Sequence, residues 1–99
     1  MIILNALYKR PEDVVAFQQH YQNTHMPIVM KTPGLIKAEA EMVTSTFMGK
    51  PDDYYMLARM YYKNSEDFKT AMRSEENKTT GKDLISFAKG KVSLYVTEI

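Results

Sequence analysis

Apolar and polar residues alternate with a period of two along several stretches of this chain, and between those stretches the apolar positions recur every third or fourth residue. The opening run 2–8, Ile-Ile-Leu-Asn-Ala-Leu-Tyr, reads as a strand. Lys9-Arg10-Pro11-Glu12-Asp13 interrupts it. Proline favours the first helical position, and two acidic residues suit the positive end of a helix dipole. The spacing predicts a helix from there to about Thr24, because at about 100° per residue Val14, Phe17, Tyr21, Thr24 and His25 share one face. Pro27 biases the residues before it away from the helical conformation, so the helix is expected to bend or end near His25. Thr32-Pro33-Gly34 then makes a turn.

A second strand is predicted over 35–44, with Ile36, Ala38, Ala40 and Met42 alternating against Lys37, Glu39 and Glu41. Residues 45–53, ending Gly49-Lys50-Pro51-Asp52-Asp53, form a hairpin-type loop, and 54–62 a third strand rich in Tyr and Met. Ser65 is placed to cap a helix with Glu66 and Asp67 in its first turn, and Phe68, Ala71 and Met72 on one face. Glu75-Glu76-Asn77-Lys78 reads as a polar break before a short helical segment with Leu84, Phe87 and Ala88 on one side, stopped by Gly90. Residues 92–98 are the last strand.

The order β-α-β-β-α-β is that of a ferredoxin-like α+β domain with an antiparallel sheet, expected to occupy residues 1–99 as a single domain. Strand parity divides the sheet. Ile2, Leu4, Ala6, Ala58, Met60 and Tyr62 would face the helices, with Val92, Leu94 and Val96. Ile3, Asn5, Leu7, Leu57, Arg59, Tyr61, Ser93, Tyr95 and Thr97 would face away. That outer face is too apolar and aromatic for bulk water and too polar for a plain core. It predicts a second sheet stacked over it with a cavity between, and only another copy of the chain has strands to supply.

Composition adds exclusions. At 44% hydrophobic and 25% charged over 99 residues, the chain falls in the globular class. A net charge of +1 leaves no electrostatic footprint for nucleic acid or anionic lipid. With no cysteine there are no disulfides, thiolate metal sites or cysteine nucleophiles, which fits a reducing compartment. Met1 runs straight into Ile2-Ile3-Leu4, too short an apolar run for a signal peptide or a membrane span, so a cytoplasmic protein is expected. Neither a Gly-rich phosphate loop nor a G-x-S-x-G elbow occurs, and no cofactor is expected. The eight methionines suit irregular core gaps or a pocket lining.

Four segments carry a family likeness: Leu7-Tyr8-Lys9-Arg10-Pro11, Tyr21-Gln-Asn-Thr-His25-Met-Pro27-Ile28, Pro33-Gly34-Leu35, and Asp83-Leu-Ile-Ser-Phe87-Ala-Lys-Gly90. Together they resemble the EthD family of dimeric α+β barrel proteins, and Tyr-x-x-x-His-x-Pro is the most specific piece. Ile28 stands where that family more often has Leu, a volume-conserving exchange. The resemblance implies a homodimer whose paired sheets close a barrel around a small-molecule pocket. The family takes its name from an accessory protein of ether degradation. The wider superfamily includes lactone isomerases, polyketide cyclases, dehydratases, cofactor-free oxygenases and haem-degrading enzymes, so the fold alone names no reaction.

His25 leads the candidate chemistry. At the end of the helix face it could reach a cavity and exchange a proton near neutral pH, or it could cap the helix or bond a backbone carbonyl. His20 lies about 140° from it by helical geometry and reads as solvated; the pair lacks the i, i+4 spacing of a helical zinc site, so no metal is expected. Asn5, Phe17, Tyr21, Arg59, Tyr61 and Tyr95, with Ser93, are the candidate ligand contacts. Asn5, Phe17, Tyr21, His25, Arg59 and Tyr61 are expected to converge on one pocket. Arg59 could hold an anionic or carbonyl oxygen, or pair with Glu39 or Glu41 of the next strand. Tyr8 and Tyr21 are expected to pack with their hydroxyls at the rim. Three functions follow: a cofactor-independent enzyme on a small carbonyl, lactone or phenolic compound with His25 as proton shuttle; a non-catalytic small-molecule binding module; and a haem-degrading enzyme with His25 as axial ligand.

Overall fold

The structure, a computed structural model, describes residues 1–49 and 53–99. Strand β1 (Ile2–Lys9) leads to helix α1 (Val14–His20), a π-helical segment (Tyr21–His25) and a short helix α2 (Met26–Val29). Strands β2 (Leu35–Met42) and β3 (Tyr54–Tyr62) follow, then helices α3 (Ser65–Met72) and α4 (Glu75–Ala88), and strand β4 (Val92–Glu98). The sheet order is β2-β3-β1-β4, with antiparallel neighbours throughout. This is the ferredoxin-like α+β fold. Of the loop expected over 45–53, residues 50–52 lie outside the described residues. No helix among the described residues is long and apolar enough to cross a membrane.

The central strands β1 and β3 largely follow their alternation, whereas in the edge strands β2 and β4 Ile36, Met42, Leu94 and Val96 are about half exposed, because the helices do not cover the sheet's margins. On the helix side, Ile2, Ala6, Tyr8, Met56, Ala58, Met60 and Tyr62 are buried in one core with Phe17, Tyr21, Ala71 and Ala88. Tyr8 meets Phe17 edge-on at 5.4 Å between ring centroids, and Phe17 lies parallel to Tyr21 at 6.2 Å. Tyr8 is therefore not at a rim: it is among the most deeply buried side chains, 1% exposed.

The helices depart from their expected limits in four places. Asp13 is the N-cap of α1, its carboxylate accepting from the Ala16 N–H at 3.0 Å, so the first turn begins at Val14, three residues after Pro11. Asn64, not Ser65, caps α3, accepting from Asp67 N–H at 2.8 Å. The chain does not leave the helix at His25. Met26 N–H bonds the Tyr21 carbonyl, an i→i−5 π turn, and helix continues through Pro27. A proline has no N–H to give and its ring crowds the i−4 carbonyl. A register already widened by the π turn removes both conflicts.

The fourth departure matters most for the site. Glu75-Glu76-Asn77-Lys78 is no break but the first turn of α4. Ser74 Oγ accepts from Asn77 N–H at 3.1 Å, and the two glutamates lie at the positive end of the helix dipole. A polar tetrapeptide with a cap before it is how a helix starts, and here it starts a 14-residue helix. Gly90, at φ 75°, takes the left-handed conformation that ends it.

Because one hydroxyl anchors the start of α4, Ser74→Ala should lower stability by about 1 kcal/mol. The urea midpoint should fall with the slope of the unfolding curve unchanged.

Candidate functional site

The π turn brings two histidines to one carboxylate. In a regular α-helix residues five apart point about 140° from each other. The i→i−5 turn at Tyr21–His25 closes most of that angle, so His20 and His25 both face α4. There Asp83 meets them: His25 Nδ1 lies 2.8 Å from Oδ2, and His20 Nε2 lies 2.9 Å from Oδ1 and 3.1 Å from Oδ2. Phe87, one turn beyond Asp83, packs against both imidazoles, at 4.6 Å from the His20 ring and 4.9 Å from the His25 ring. His20 is thus no solvated bystander, and His25 bonds a carboxylate in place of the backbone.

Burial, at 4% exposure, lowers the pKa of His25; the hydrogen bond and charge of Asp83 pull the other way and do not fully offset it. Burial also works against the Asp83 carboxylate, but the hydrogen bonds from His25 and His20 outweigh it and hold its pKa below the usual value. The pair is therefore a neutral imidazole and an ionised carboxylate at neutral pH. The carboxylate fixes the proton of His25 on Nδ1 and leaves Nε2 as an acceptor.

His25 borders a cavity of about 170 Å³ between α4 and the helix-facing side of the sheet. Leu4, Ala6 and Met60 floor it, and Met72 and Leu84 wall it, with Leu94 at its edge. Tyr8, Tyr62 and Thr32 also line it. Burial, reinforced by neighbouring Tyr21 and Asp83, pushes the Tyr8 hydroxyl well above the usual tyrosine range, and burial raises Tyr62 as well. Both keep their protons and can donate. No Lys, Arg, Asp or Glu lines this space. Among the described residues no group of three or more His, Asp or Glu side chains is arranged to hold a metal ion.

The residues expected around one pocket divide between two faces. Phe17 and Tyr21 lie on the helix side with His25, packed behind it and not bordering the cavity. Asn5, Arg59, Tyr61 and Tyr95 lie on the outer face, since strand neighbours point to opposite sides. The outer-face groups satisfy one another. Arg59 Nη2 is 2.8 Å from Glu41 Oε1 and Nη1 is 3.8 Å from Glu39 Oε1, while the Tyr61 hydroxyl donates to Glu39. Asn5 Nδ2 donates to Thr97 Oγ1 at 2.8 Å. A cleft of about 130 Å³ there is bordered by this ion-paired cluster. The site residues that sequence reasoning passed over are Asp83, Tyr8 and Tyr62. Asp83 left a signal as the first residue of a family-like segment with Phe87 one turn on, and Tyr8 as the second residue of another; Tyr62 left none.

The ferredoxin-like sheet places the chain among the small α+β proteins. Comparison with known proteins narrows it. The model of the EthD domain matches residues 9–91. The chain is 30% identical, over 98 residues, to an uncharacterised 11.0 kDa protein of the thcB–thcC intergenic region of Rhodococcus erythropolis, covering 99% of this chain and 94% of that one. It is 39% identical to an ethyl tert-butyl ether D (EthD) family protein of Bacillus halodurans C-125, whose crystal structure superposes with a TM-score of 0.93 over 100% of this chain and 98% of that one. The chain belongs to the EthD family. Two distant structures share the fold alone. SnoaB, a cofactor-independent oxygenase from Streptomyces nogalater, has a TM-score of 0.67 at 10% identity, over 99% of this chain and 90% of that one. A dimeric ferredoxin-like protein from Jannaschia sp. has 0.69 at 13% identity, over the whole of both chains.

A lowered His25 pKa has a stability consequence. Below about pH 6.5 the unfolded chain protonates His25 while the folded protein does not, so the unfolded state binds more protons and stability falls as pH falls. A second decline belongs to Asp83, beginning near pH 3.8 and completed as pH drops through its depressed folded value. Chemical denaturation between pH 8 and pH 5 should show the first decline, and His25→Ala should flatten it.

Proposed function

We propose that this EthD-family protein is an enzyme that moves a proton on a small, uncharged, mostly apolar compound, a carbonyl, lactone or phenol, without a cofactor. The observation that carries this is the held imidazole: Asp83 occupies Nδ1 at 2.8 Å while His25 borders an uncharged cavity. In this reading Nε2 accepts a proton from a C–H or O–H of the ligand. The Asp83 carboxylate stabilises the imidazolium that forms, and the Tyr8 or Tyr62 hydroxyl donates to the oxygen on which negative charge develops. Proton abstraction is a shared opening for isomerase, cyclase, dehydratase and oxygenase chemistry, and the fold relative SnoaB is described as a cofactor-independent oxygenase. The haem reading is not supported, because about 170 Å³ lies below the roughly 300 Å³ at which drug-sized pockets begin.

One observation favours the non-catalytic alternative: the His25–Asp83 bond also ties α4 to the π turn, a structural task. Mutants separate the two. With a substrate found by thermal-shift screening of small carbonyl, lactone and phenolic compounds, His25→Ala and His25→Gln should each lower kcat/KM by about 10²-fold or more, with the fold kept. Full activity in His25→Gln would leave His25 only the structural task, and a bound compound that the parent does not turn over would leave only the binding module.

The outer sheet face supports a homodimer. Tyr95 is 55% exposed on that face, which also carries partly covered Leu57 and buried Ile3, and the Jannaschia relative of the same fold is described as dimeric. Light scattering at micromolar concentration should give twice the chain mass. Tyr95→Asp should give a monomer, whereas Tyr61, already buried and bonded to Glu39, is a poorer probe because its loss perturbs each chain by itself.

A further inference from the structure

Glycine inside a helix needs a reason. It lowers helix stability relative to alanine, and structures usually keep it for a left-handed turn or the close approach of another backbone. Gly81 in the middle of α4 has neither. Its φ is not positive, and a Cβ built on it meets no atom within 4 Å. The space it leaves is the cavity. Asn77, Thr80, Gly81 and Leu84 follow the i, i+3, i+4, i+7 spacing and together form the face of α4 that lines it. Gly81 sits between Asn77 and Leu84 on that stripe, two residues before Asp83.

We propose that Gly81 is the size-determining residue of the His25 cavity, keeping open a space for one compact ring and excluding fused or longer molecules. This rests on the proton-transfer reading for the ligand's chemistry, but the glycine argument stands on geometry alone. An apolar protein cavity of about 150 Å³ is known to hold benzene, and about 170 Å³ is close to that size. The lining holds no cation to meet a carboxylate or phosphate. Its polar residues, His25, Tyr8, Tyr62, Thr32, Asn77 and Thr80, are all without formal charge and suit a hydroxyl or carbonyl on that ring. The ligand class is therefore an uncharged monocycle with one oxygen function.

The test has one arm without ligand and one with. In the first, Gly81→Ala should be more stable than the parent, its thermal midpoint higher by on the order of 4 °C, because nothing opposes the added methyl. A lower midpoint would show that the backbone or packing requires glycine, and would overturn the proposal. In the second arm, phenol and 2-naphthol are titrated into the labelled protein and followed by amide chemical shifts. Phenol should move the resonances of Leu4, Met60 and Leu84, and 2-naphthol should not. Gly81→Leu, with its fold checked by the same spectrum, should weaken phenol binding at least about 10-fold. Equal binding of phenol and 2-naphthol, no binding of phenol by the parent, or unchanged phenol binding by Gly81→Leu would each overturn the proposal. Failure of the proton-transfer reading shows elsewhere, as activity that survives in His25→Gln, so the two outcomes cannot be confused.

Discussion

The Asp83 carboxylate is the joint on which the site depends. It accepts from histidines of two different helical turns and comes from a third helical element at the far end of the chain. Neither histidine could share it in a regular α-helix, where their separation of five residues would set them about 140° apart. The π turn therefore is not a blemish in the first helix; it is what brings His20 over His25. The same turn lets helix run on through Pro27, so a residue that reads as a helix breaker ends up inside one. Removing the π turn would part His20 from His25, whatever happened to the sheet.

Most of the fold was legible because strands announce themselves by parity. The expected limits of β3 and β4, 54–62 and 92–98, coincide with those observed, β1 extends one residue further, to Lys9, and β2, expected to reach 44, stops at Met42. The division of sheet residues between two faces also holds: Ala6, Met60 and Tyr62 are in the helix-side core, while Arg59 and Tyr61 meet Glu39 on the other side. Helix limits were less legible because caps compete locally. Asp13, Asn64 and Ser74 each captured an N–H that a sequence pattern could assign to a neighbour. The tetrapeptide at 75–78 misleads for the same reason, since charges at a helix start look like charges in a loop.

The site was legible only in part. His25 was visible as a histidine fixed between a helix face and a proline. Asp83 was invisible as a partner because 58 residues separate it from His25, and no local periodicity reports a contact made between helices. The expectation that Asn5, Arg59 and Tyr61 would join His25 failed on parity itself. Leu4 and Ala6 flank Asn5 in β1, so if they floor a cavity Asn5 must point away from it.

That parity has a consequence for how the molecule divides its tasks. The sheet separates a lining without formal charge from a face where Lys37, Glu39, Arg59 and Glu41 cluster around Tyr61. A buried charge is tolerated only when paired, and each side meets that demand differently. On the outer face the charges pair with one another and remain partly exposed, which suits a wet surface or an interface. On the helix side the ionised Asp83 is held by two imidazoles outside the cavity, and of these three groups only the neutral ring of His25 borders the space itself. A carboxylate facing the cavity directly would hold water there and repel a developing anion. Placed behind an imidazole, it holds the ring while the space in front carries no formal charge. That arrangement depends on α4 standing off the sheet by enough to leave a cavity, and an unobstructed glycine in the middle of that helix keeps the distance from being filled.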